Sequence, residues 1–346
     1  MNKELTNFIK YLKINFRPQK TDKTVPVNCW SEKDILNNKV VDAFVIIFKT
    51  RGCSWALKSG CSMCGYFNDS LWSDVSNEEL LQQFKFALKK YKGEKFVKIF
   101  TSGSFLDDKE INPIIREKIL KKLYETAEKV SVESRPEYIT NKSIEKIKKI
   151  VGLNIFEIGI GLETADDNIR KNNINKGFTF NDYKKATDIM NKNNINIKTY
   201  VLVKPPFLSE KQAINDTIST IKKIKNLTDI ISLNPVNIQK NTLVNYLWKQ
   251  DRYRSPWLFT IVQILIEGKK IINNKIIKCD IVGGGSIRGP HNCGECDNDY
   301  LKAISDFSLK QDINVFNNLK CNCKDKWLDQ LDLEDLSFGS LTKIYG

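Results

Sequence analysis

Long hydrophobic runs are absent from this sequence of 346 residues, and so is the pattern of a secretory leader. The longest apolar stretches, 43–48 and 258–266, are interrupted or too short to cross a bilayer. The first 16 residues have the spacing of an amphipathic helix and lack the apolar run and small-residue cleavage site of a signal peptide. We therefore predict a cytoplasmic protein with no membrane association.

Internal repeats and low-complexity tracts are also lacking, apart from a bias towards Lys, Asn and Ile. Their absence excludes a solenoid and a fibrous or disordered chain. Hydrophobic residues make up 41% of the chain and charged residues 28%, as in an ordinary globular protein. The length suffices for one barrel-sized catalytic domain with an appendage.

Acidic residues are outnumbered by basic ones, 41 Asp and Glu against 55 Lys and Arg, which gives a formal net charge of +14. Such an excess favours a polyanionic partner, and nucleic acid is the natural candidate. The basic residues are nevertheless spread along the chain, as they are where an AT-rich genome fills surfaces with Lys, Asn and Ile. Charge alone does not decide between these interpretations.

Between residues 40 and 235, short β-branched or aromatic runs alternate with amphipathic helical patterns. This alternation is typical of βαβ units around a parallel sheet, and six units predict an α/β fold, a partial (β/α)6 TIM-like barrel. The predicted strands are 41–49, 94–101, 129–134, 154–161, 196–203 and 228–235, and the helices between them are 77–92, 112–128, 140–151, 180–194 and 209–225.

Three regions follow from these patterns. An N-terminal helical extension is predicted at 1–39, the partial barrel at 40–254, and a small Cys-rich metal-binding subdomain at 255–346. In barrels of this kind the chemistry lies on the loops after the carboxyl ends of the strands.

Three cysteines, Cys53, Cys61 and Cys64, follow the first predicted strand in a C-x7-C-x2-C arrangement. Cytosolic thiols stay reduced, so the clustering indicates metal binding and not disulfides. Three thiolates are too few for a closed zinc site, but they suit a [4Fe-4S] cluster with one open iron. The alternatives are a zinc knuckle completed by Cys29 or His291, or unrelated buried thiols, and the position at a strand end argues against both.

An open iron of this kind is where radical S-adenosylmethionine (SAM) enzymes bind the amino and carboxylate groups of SAM and reduce its sulfonium. Their commonest motif is C-x3-C-x2-C with an aromatic residue before the last cysteine, whereas here the first gap is longer and Met63 takes that place. The lengthened gap resembles the elongator-type branch of the superfamily, which modifies tRNA.

Polar and glycine-rich segments at the ends of the next three strands are candidates for holding SAM. Ser102, Gly103 and Ser104 form a polar turn that suits the methionine amino group, although such turns are common. Glu133 and Arg135, which share one strand face, could bind the ribose hydroxyls and the carboxylate, or form a surface ion pair.

Gly159 and Gly161 would expose backbone to a flat ligand, with Glu163 on the following loop. This Gly-x-Gly is no dinucleotide fingerprint, because no helix with a third glycine follows. The fifth and sixth strands end in polar residues that could face the substrate or serve as caps and turns. They are Lys204, Asn234, Asn237 and Gln239.

A second group of cysteines lies near the C-terminus. Cys293 and Cys296 form a C-x2-C pair, and Cys321 and Cys323 could supply the other half of a four-thiolate site. The single histidine, His291, and Cys279 are possible replacement ligands. Zinc is the first choice, because closed four-ligand sites stabilise small subdomains, and a second iron–sulfur cluster is the alternative.

Taken together, these motifs are similar to the archaeosine-synthase radical SAM family of archaea, a relative of the elongator catalytic subunit. They are RGCSWALKSGCSMCGYFND, TSGSFLD, ESRPEYIT, IGIGLET, KPPFLSE, LNPVNIQKNT, RGPHNCGECD and CNCKDKW. The resemblance implies a lyase acting on tRNA, which removes most of the lysine from a lysine-bearing 7-cyano-7-deazaguanine at position 15 and leaves archaeosine. It also implies a partner subunit that attaches the lysine, and an external electron donor.

Two other functions fit the same residues. A radical SAM enzyme could act on another tRNA base, a peptide or a small molecule, with the basic charge incidental. A zinc-stabilised RNA-binding module without redox chemistry would also use the C-terminal cysteines and the basic surface.

Overall fold

One curled eight-stranded sheet forms the centre of the computed structural model, which describes residues 2–14, 16–17, 21–152, 154–334 and 336. The strands follow one another in chain order, with β1 antiparallel to β2 and every later neighbour parallel. They are β1 Asn28–Leu36, β2 Lys39–Ile47, β3 Phe96–Phe100, β4 Lys129–Glu133, β5 Ile155–Glu163, β6 Asn196–Val203, β7 Ile230–Pro235 and β8 Ile276–Cys279.

Helices connect the parallel strands, so that the carboxyl ends of all these strands meet at one mouth. The helices are α1 Lys3–Leu12, α2 Ser54–Lys58, α3 Asn77–Leu88, α4 Pro113–Leu123, α5 Asn141–Val151, α6 Asp167–Ile169, α7 Phe180–Asn191, α8 Glu210–Ile224, α9 Leu243–Trp248, α10 Leu258–Ile272, α11 Asp297–Lys310 and α12 Cys323–Glu334. Four of the connecting helices begin with a reciprocal capping box, at Ser76, Thr140, Thr179 and Ser209.

The α/β partial barrel predicted from the sequence is confirmed, with eight strands in place of six. The six predicted strands correspond to β2–β7, while β1 and β8 are additional. The charged residues of β1 interrupt its apolar pattern, and β8 has only four residues, so neither segment gives a clear strand signal. The sheet continues across both predicted region boundaries, since β1 lies within 1–39 and β8 within 255–346.

Charged side chains meet between the two edge strands. Asp34 on β1 accepts hydrogen bonds from the Lys278 ammonium on β8 at 3.1 and 3.2 Å, and it also pairs with Lys98. Nearby, the buried Glu157 carboxylate lies 2.5 Å from Lys129 Nζ and 2.8 Å from Lys198 Nζ. Because buried charges are tolerated only when paired, each of these side chains depends on its partner in another strand.

The C-terminal region packs onto the barrel through α10 and α12. Oε2 of Glu334 accepts hydrogen bonds from the backbone N–H groups of Glu210 and Lys211 at 2.7 and 3.3 Å, at the start of α8. Trp257 donates from Nε1 to Oε1 of Gln330 at 2.8 Å. In the part of the chain described, no helix is long and apolar enough to cross a membrane.

Candidate functional site

The loop that carries Cys53, Cys61 and Cys64 begins where β2 ends, at the barrel mouth. Cys61 is buried, while Cys53 and Cys64 are half-buried. Among the described residues, these three cysteines do not form a compact ligand group for one metal ion, as the C-terminal cysteines do. Three thiolates on one loop are compatible with an iron–sulfur cluster, in which each thiolate binds a different iron.

Asn175, which sequence reasoning missed, holds this loop in place. The buried Nδ2 donates to Ser59 Oγ at 2.8 Å and to the Gly60 carbonyl at 2.9 Å. The Asn175 carbonyl accepts from Trp55 Nε1 at 2.8 Å. Asn175 adopts a left-handed conformation with φ of 58°, which asparagine tolerates better than most residues.

Gln239, predicted to contact substrate, contacts the cysteine loop. Its Oε1 accepts a hydrogen bond from the backbone N–H of Gly65 at 2.5 Å, one residue after Cys64. A side chain that follows β7 therefore fixes the end of the loop that follows β2. Its role towards substrate stays a prediction.

The turn after β3 packs directly against the first cysteine. A Cβ on Gly103 would lie 2.6 Å from Cα of Cys53, so only glycine fits this close approach. The buried Ser104 accepts from the backbone N–H of Arg135 at 3.0 Å through Oγ, and its own N–H donates to Oε2 of Glu110 at 2.6 Å. Ser102 is half-buried at the same turn.

Glu110 is a second residue that the sequence patterns missed. Burial raises the pKa of this carboxyl to about 7, although Thr50, whose hydroxyl is 2.7 Å from Oε1, and the N–H of Ser104 oppose the shift. The Glu110 carboxylate packs against the turn that carries Gly103 and accepts a hydrogen bond from the Ser104 N–H of that turn.

Acidic groups lie at the carboxyl ends of β4 and β5. Burial raises the pKa of Glu133 to about 6, against the hydrogen bond from the Tyr200 hydroxyl and the charges of Lys198 and Lys176. Oε1 of Glu163 lies 2.6 Å from Nζ of Lys176. Burial lowers the pKa of Lys176, but the charges of Glu163 and Cys61 and the hydrogen bond to Glu163 together raise it above its usual value.

Arg135 lies between these acids and the cysteines. Its Nε donates to Oε1 of Glu137 at 2.5 Å, and Nη1 donates to the carbonyl of Lys176 at 3.1 Å. The guanidinium faces the rings of Trp55 and Phe178 at 5.5 and 5.2 Å, so it is held over an aromatic surface.

The space above the two strand glycines is already filled in part. A Cβ on Gly159 would meet the Tyr200 ring at 2.7 Å, and one on Gly161 would meet Glu163 Oε1 at 2.7 Å and Lys176 Nζ at 2.8 Å. The glycines thus admit side chains from neighbouring segments, a reason for Gly-x-Gly that the sequence did not reveal. Contact with a flat ligand stays a prediction.

The other predicted substrate residues fall in different surroundings. Lys204 is fully buried in a left-handed conformation, and its Nζ lies 2.6 Å from Oε2 of Glu210, itself fully buried. Direct contact of Lys204 with a substrate would require this ion pair to open. Asn234 is half-buried at the end of β7. Asn237, two residues after β7, lies beside Gly283, which belongs to the loop that follows β8.

The structure brings the sulfurs of Cys293, Cys296, Cys321 and Cys323 to within 4.8 Å of one another. The Cys293 sulfur lies 3.9 Å from that of Cys296 and 3.7 Å from that of Cys321, and the Cys323 sulfur lies 3.8 Å from that of Cys296 and 3.3 Å from that of Cys321. Zinc–thiolate bonds of about 2.3 Å in a tetrahedron place neighbouring sulfurs about 3.8 Å apart. This group has the geometry of a single-ion site, and the possible replacement ligands His291 and Cys279 are not part of it.

Comparison with known proteins identifies the family. The pattern of the Radical SAM superfamily matches residues 47–217. The chain is 40% identical to archaeosine synthase subunit beta of Methanosarcina acetivorans over 334 residues, which cover 95% of each chain. The chain belongs to the archaeosine synthase subunit beta family. The family protein of Thermococcus kodakarensis is 40% identical over 305 residues, 86% of this chain and 94% of that one.

Solved structures support the fold of this subunit beta family member. An archaeal Elp3 from Methanocaldococcus infernus superposes with a TM-score of 0.50 at 16% identity, covering 69% of this chain and 59% of that chain. Methylornithine synthase (PylB) superposes with a TM-score of 0.50 at 14% identity, covering 80% and 72%. The family resemblance inferred from the sequence is therefore confirmed, and the protein is a radical SAM enzyme, a family that implies a [4Fe-4S] cluster and SAM.

Proposed function

We propose that this protein is the radical SAM lyase of archaeosine synthesis. It would convert lysine-modified 7-cyano-7-deazaguanine at position 15 of archaeal tRNA to archaeosine by radical carbon–nitrogen cleavage in the lysine. The observation that carries the proposal is the 40% identity over 95% of the chain with archaeosine synthase subunit beta. The three-cysteine loop at the barrel mouth supports it.

Cys53, Cys61 and Cys64 would hold the [4Fe-4S] cluster. Three thiolates leave one iron open, and the loop lies where the parallel strands end. With SAM bound, the cluster would supply the electron that generates a radical able to break a carbon–hydrogen bond, which acid–base groups cannot do. An external donor would provide that electron.

The residues around the cysteine loop would bind and orient SAM. The turn Ser102–Gly103–Ser104 packs on Cys53 and offers backbone groups to the methionine amino group. Arg135, fixed by Glu137, would face the carboxylate, while Glu133 and Glu163 would bind the ribose hydroxyls. Backbone of Gly159 and Gly161 would flank the adenine.

Asn234 and Asn237 are partly exposed, whereas Lys204 is held in a buried ion pair. These two asparagines are therefore the first predicted substrate residues to test by mutation. Gln239 would act on substrate indirectly by fixing Gly65.

Zinc at the C-terminal cysteines would have a structural role. We keep the proposed division of the chain into regions 1–39, 40–254 and 255–346.

We further infer that tRNA phosphates bind the basic surface and that a lysine-transferring subunit is the partner, since the relatives are named as a subunit beta. A cytoplasmic location follows from a tRNA substrate. Salt titration of tRNA binding would test the surface, because phosphate contacts weaken steeply as salt rises.

The decisive experiment is anaerobic incubation with SAM, a reductant and lysine-modified tRNA, followed by mass analysis of the nucleosides. Archaeosine and 5′-deoxyadenosine should both form. Deoxyadenosine without archaeosine would leave the radical chemistry and remove the substrate assignment. No brown chromophore after reconstitution would instead favour the zinc-stabilised RNA-binding module.

A further inference from the structure

Lys13, at the end of α1, reaches into the loop that carries the three barrel cysteines. Its Nζ donates to the carbonyl of Ser59 at 2.8 Å and to that of Ala56 at 3.4 Å. A Cβ on Gly60, next to Cys61, would collide with this ammonium group. Lys13 thus binds the segment between the first and second cysteines through two carbonyls.

The helix that delivers Lys13 is itself anchored to the same loop. Leu5 and Ile9 on α1 are buried in one apolar cluster with Cys61. Thr6 Oγ1 donates to Oδ1 of Asn175 at 3.2 Å, and Asn175 holds the loop from the other side. The position of Lys13 is therefore set by packing and not by the freedom of a long surface side chain.

Lys13 is only 8% exposed, and among the described residues no carboxylate forms an ion pair with its ammonium group. Its Nζ also lies over the Phe67 ring at 4.4 Å. By contrast, the two other cations near the cysteines, Arg135 and Lys176, are each paired with a glutamate.

Burying a charge without an opposite charge is costly, so an anion is expected beside Lys13. Burial lowers the pKa of Lys13, while the charges of the thiols of Cys64, Cys61 and Cys53, in that order, act to raise it. These cysteines are therefore the groups whose ionisation would supply a negative charge to Lys13. Metal ligation would make all three anionic together.

We propose that Lys13 is a positioning residue for the [4Fe-4S] cluster: it fastens the cysteine loop and places a fixed positive charge beside the thiolates. A nearby cation stabilises the reduced, more negative state of a cluster, so Lys13 raises the reduction potential. This inference rests on the proposed cluster at Cys53, Cys61 and Cys64.

The test compares Lys13→Met, Lys13→Gln and Lys13→Arg with the wild type and with Lys10→Met, which removes an exposed charge from the same helix. Each full-length protein is reconstituted anaerobically, assayed for iron, and titrated with reductant while the reduced cluster is followed by electron paramagnetic resonance. Neither SAM nor tRNA is added.

We expect Lys13→Met and Lys13→Gln to shift the midpoint potential to more negative values, with Lys13→Arg and Lys10→Met close to wild type. Loss of iron from the two neutral variants, with retention in the other two, would equally support the proposal. Equal iron and equal potential in Lys13→Met and wild type would overturn it. The proposal would also be overturned if Lys13→Arg lost both its iron and its helical circular dichroism signal, because Lys13 would then be required for folding and not for the cluster.

Failure of this inference and failure of the proposed function are distinguishable. A wild-type protein that takes up no iron contradicts the cluster. A wild-type protein that takes up iron but makes no archaeosine contradicts only the substrate, and the comparison of potentials stands.

Discussion

The two cysteine groups differ in the spacing of their sulfurs and in what surrounds them. The C-terminal four lie within 4.8 Å of one another, at the start of α12 and on the segments just before α11 and α12. The barrel three do not form such a compact group and lie on a loop bound by Lys13, Asn175 and Gln239 from three other parts of the chain. A single ion can gather its own ligands, whereas an open cluster needs a scaffold that keeps one position free for a ligand.

The largest effect that separates the two groups is expected from Cys61→Ala. It should abolish the iron–sulfur chromophore and SAM cleavage while leaving zinc content unchanged, because only the barrel group loses a ligand. Metal analysis and a deoxyadenosine assay would measure this. Cys29→Ala, which removes a buried thiol outside both groups, is the matched control. Loss of zinc from Cys61→Ala would contradict the prediction that the two cysteine groups bind metal independently.

The reverse experiment is Cys296→Ala. We expect loss of zinc and a fall in the thermal unfolding midpoint of several degrees, because the metal stabilises the fold of its region. Iron uptake by the barrel should persist. Cys279→Ala is the control, since Cys279 is buried nearby but lies outside the group. Iron in place of zinc in the purified wild-type protein would assign the site to a second iron–sulfur cluster.

A smaller effect is expected from Asn175→Ala. The change leaves the buried Gly60 carbonyl without its partner, which costs about 1–3 kcal/mol. We expect slower reconstitution and faster loss of iron, with zinc unaffected, as measured by absorbance over time. Asn172→Ala, an exposed position on the same segment, should behave as wild type.

The smallest effect is expected from Glu334→Ala, which removes the carboxylate that caps the start of α8. Caps of this kind contribute about 0.5–2 kcal/mol, so the denaturant midpoint should fall slightly while both metal contents stay constant. Glu334→Gln keeps a side-chain oxygen and should lose less. A loss of zinc in Glu334→Ala would mean that docking of α12, and not the ion alone, assembles the four cysteines.

Patterns of local sequence were sufficient for the barrel and for the two cysteine groups, because βαβ periodicity and C-x2-C spacing depend on neighbouring residues. They failed for β1, whose charged residues Glu32 and Asp34 point to partners far along the chain. They also failed for Lys13, whose partners lie at least 43 residues away, and for Asn175, whose partners lie at least 115 residues away. Support of a site from distant segments leaves no local signal.

The ion pair between Asp34 and Lys278 also bears on how the chain folds during synthesis. Its partners are separated by 244 residues, so a nascent chain cannot form this ion pair until about four-fifths of the protein has been synthesised. Among the described residues, Lys98 is the other lysine that pairs with Asp34. The contact between the two edge strands therefore forms late, and a chain interrupted before β8 would leave β7 as an unpaired edge strand, open to other proteins.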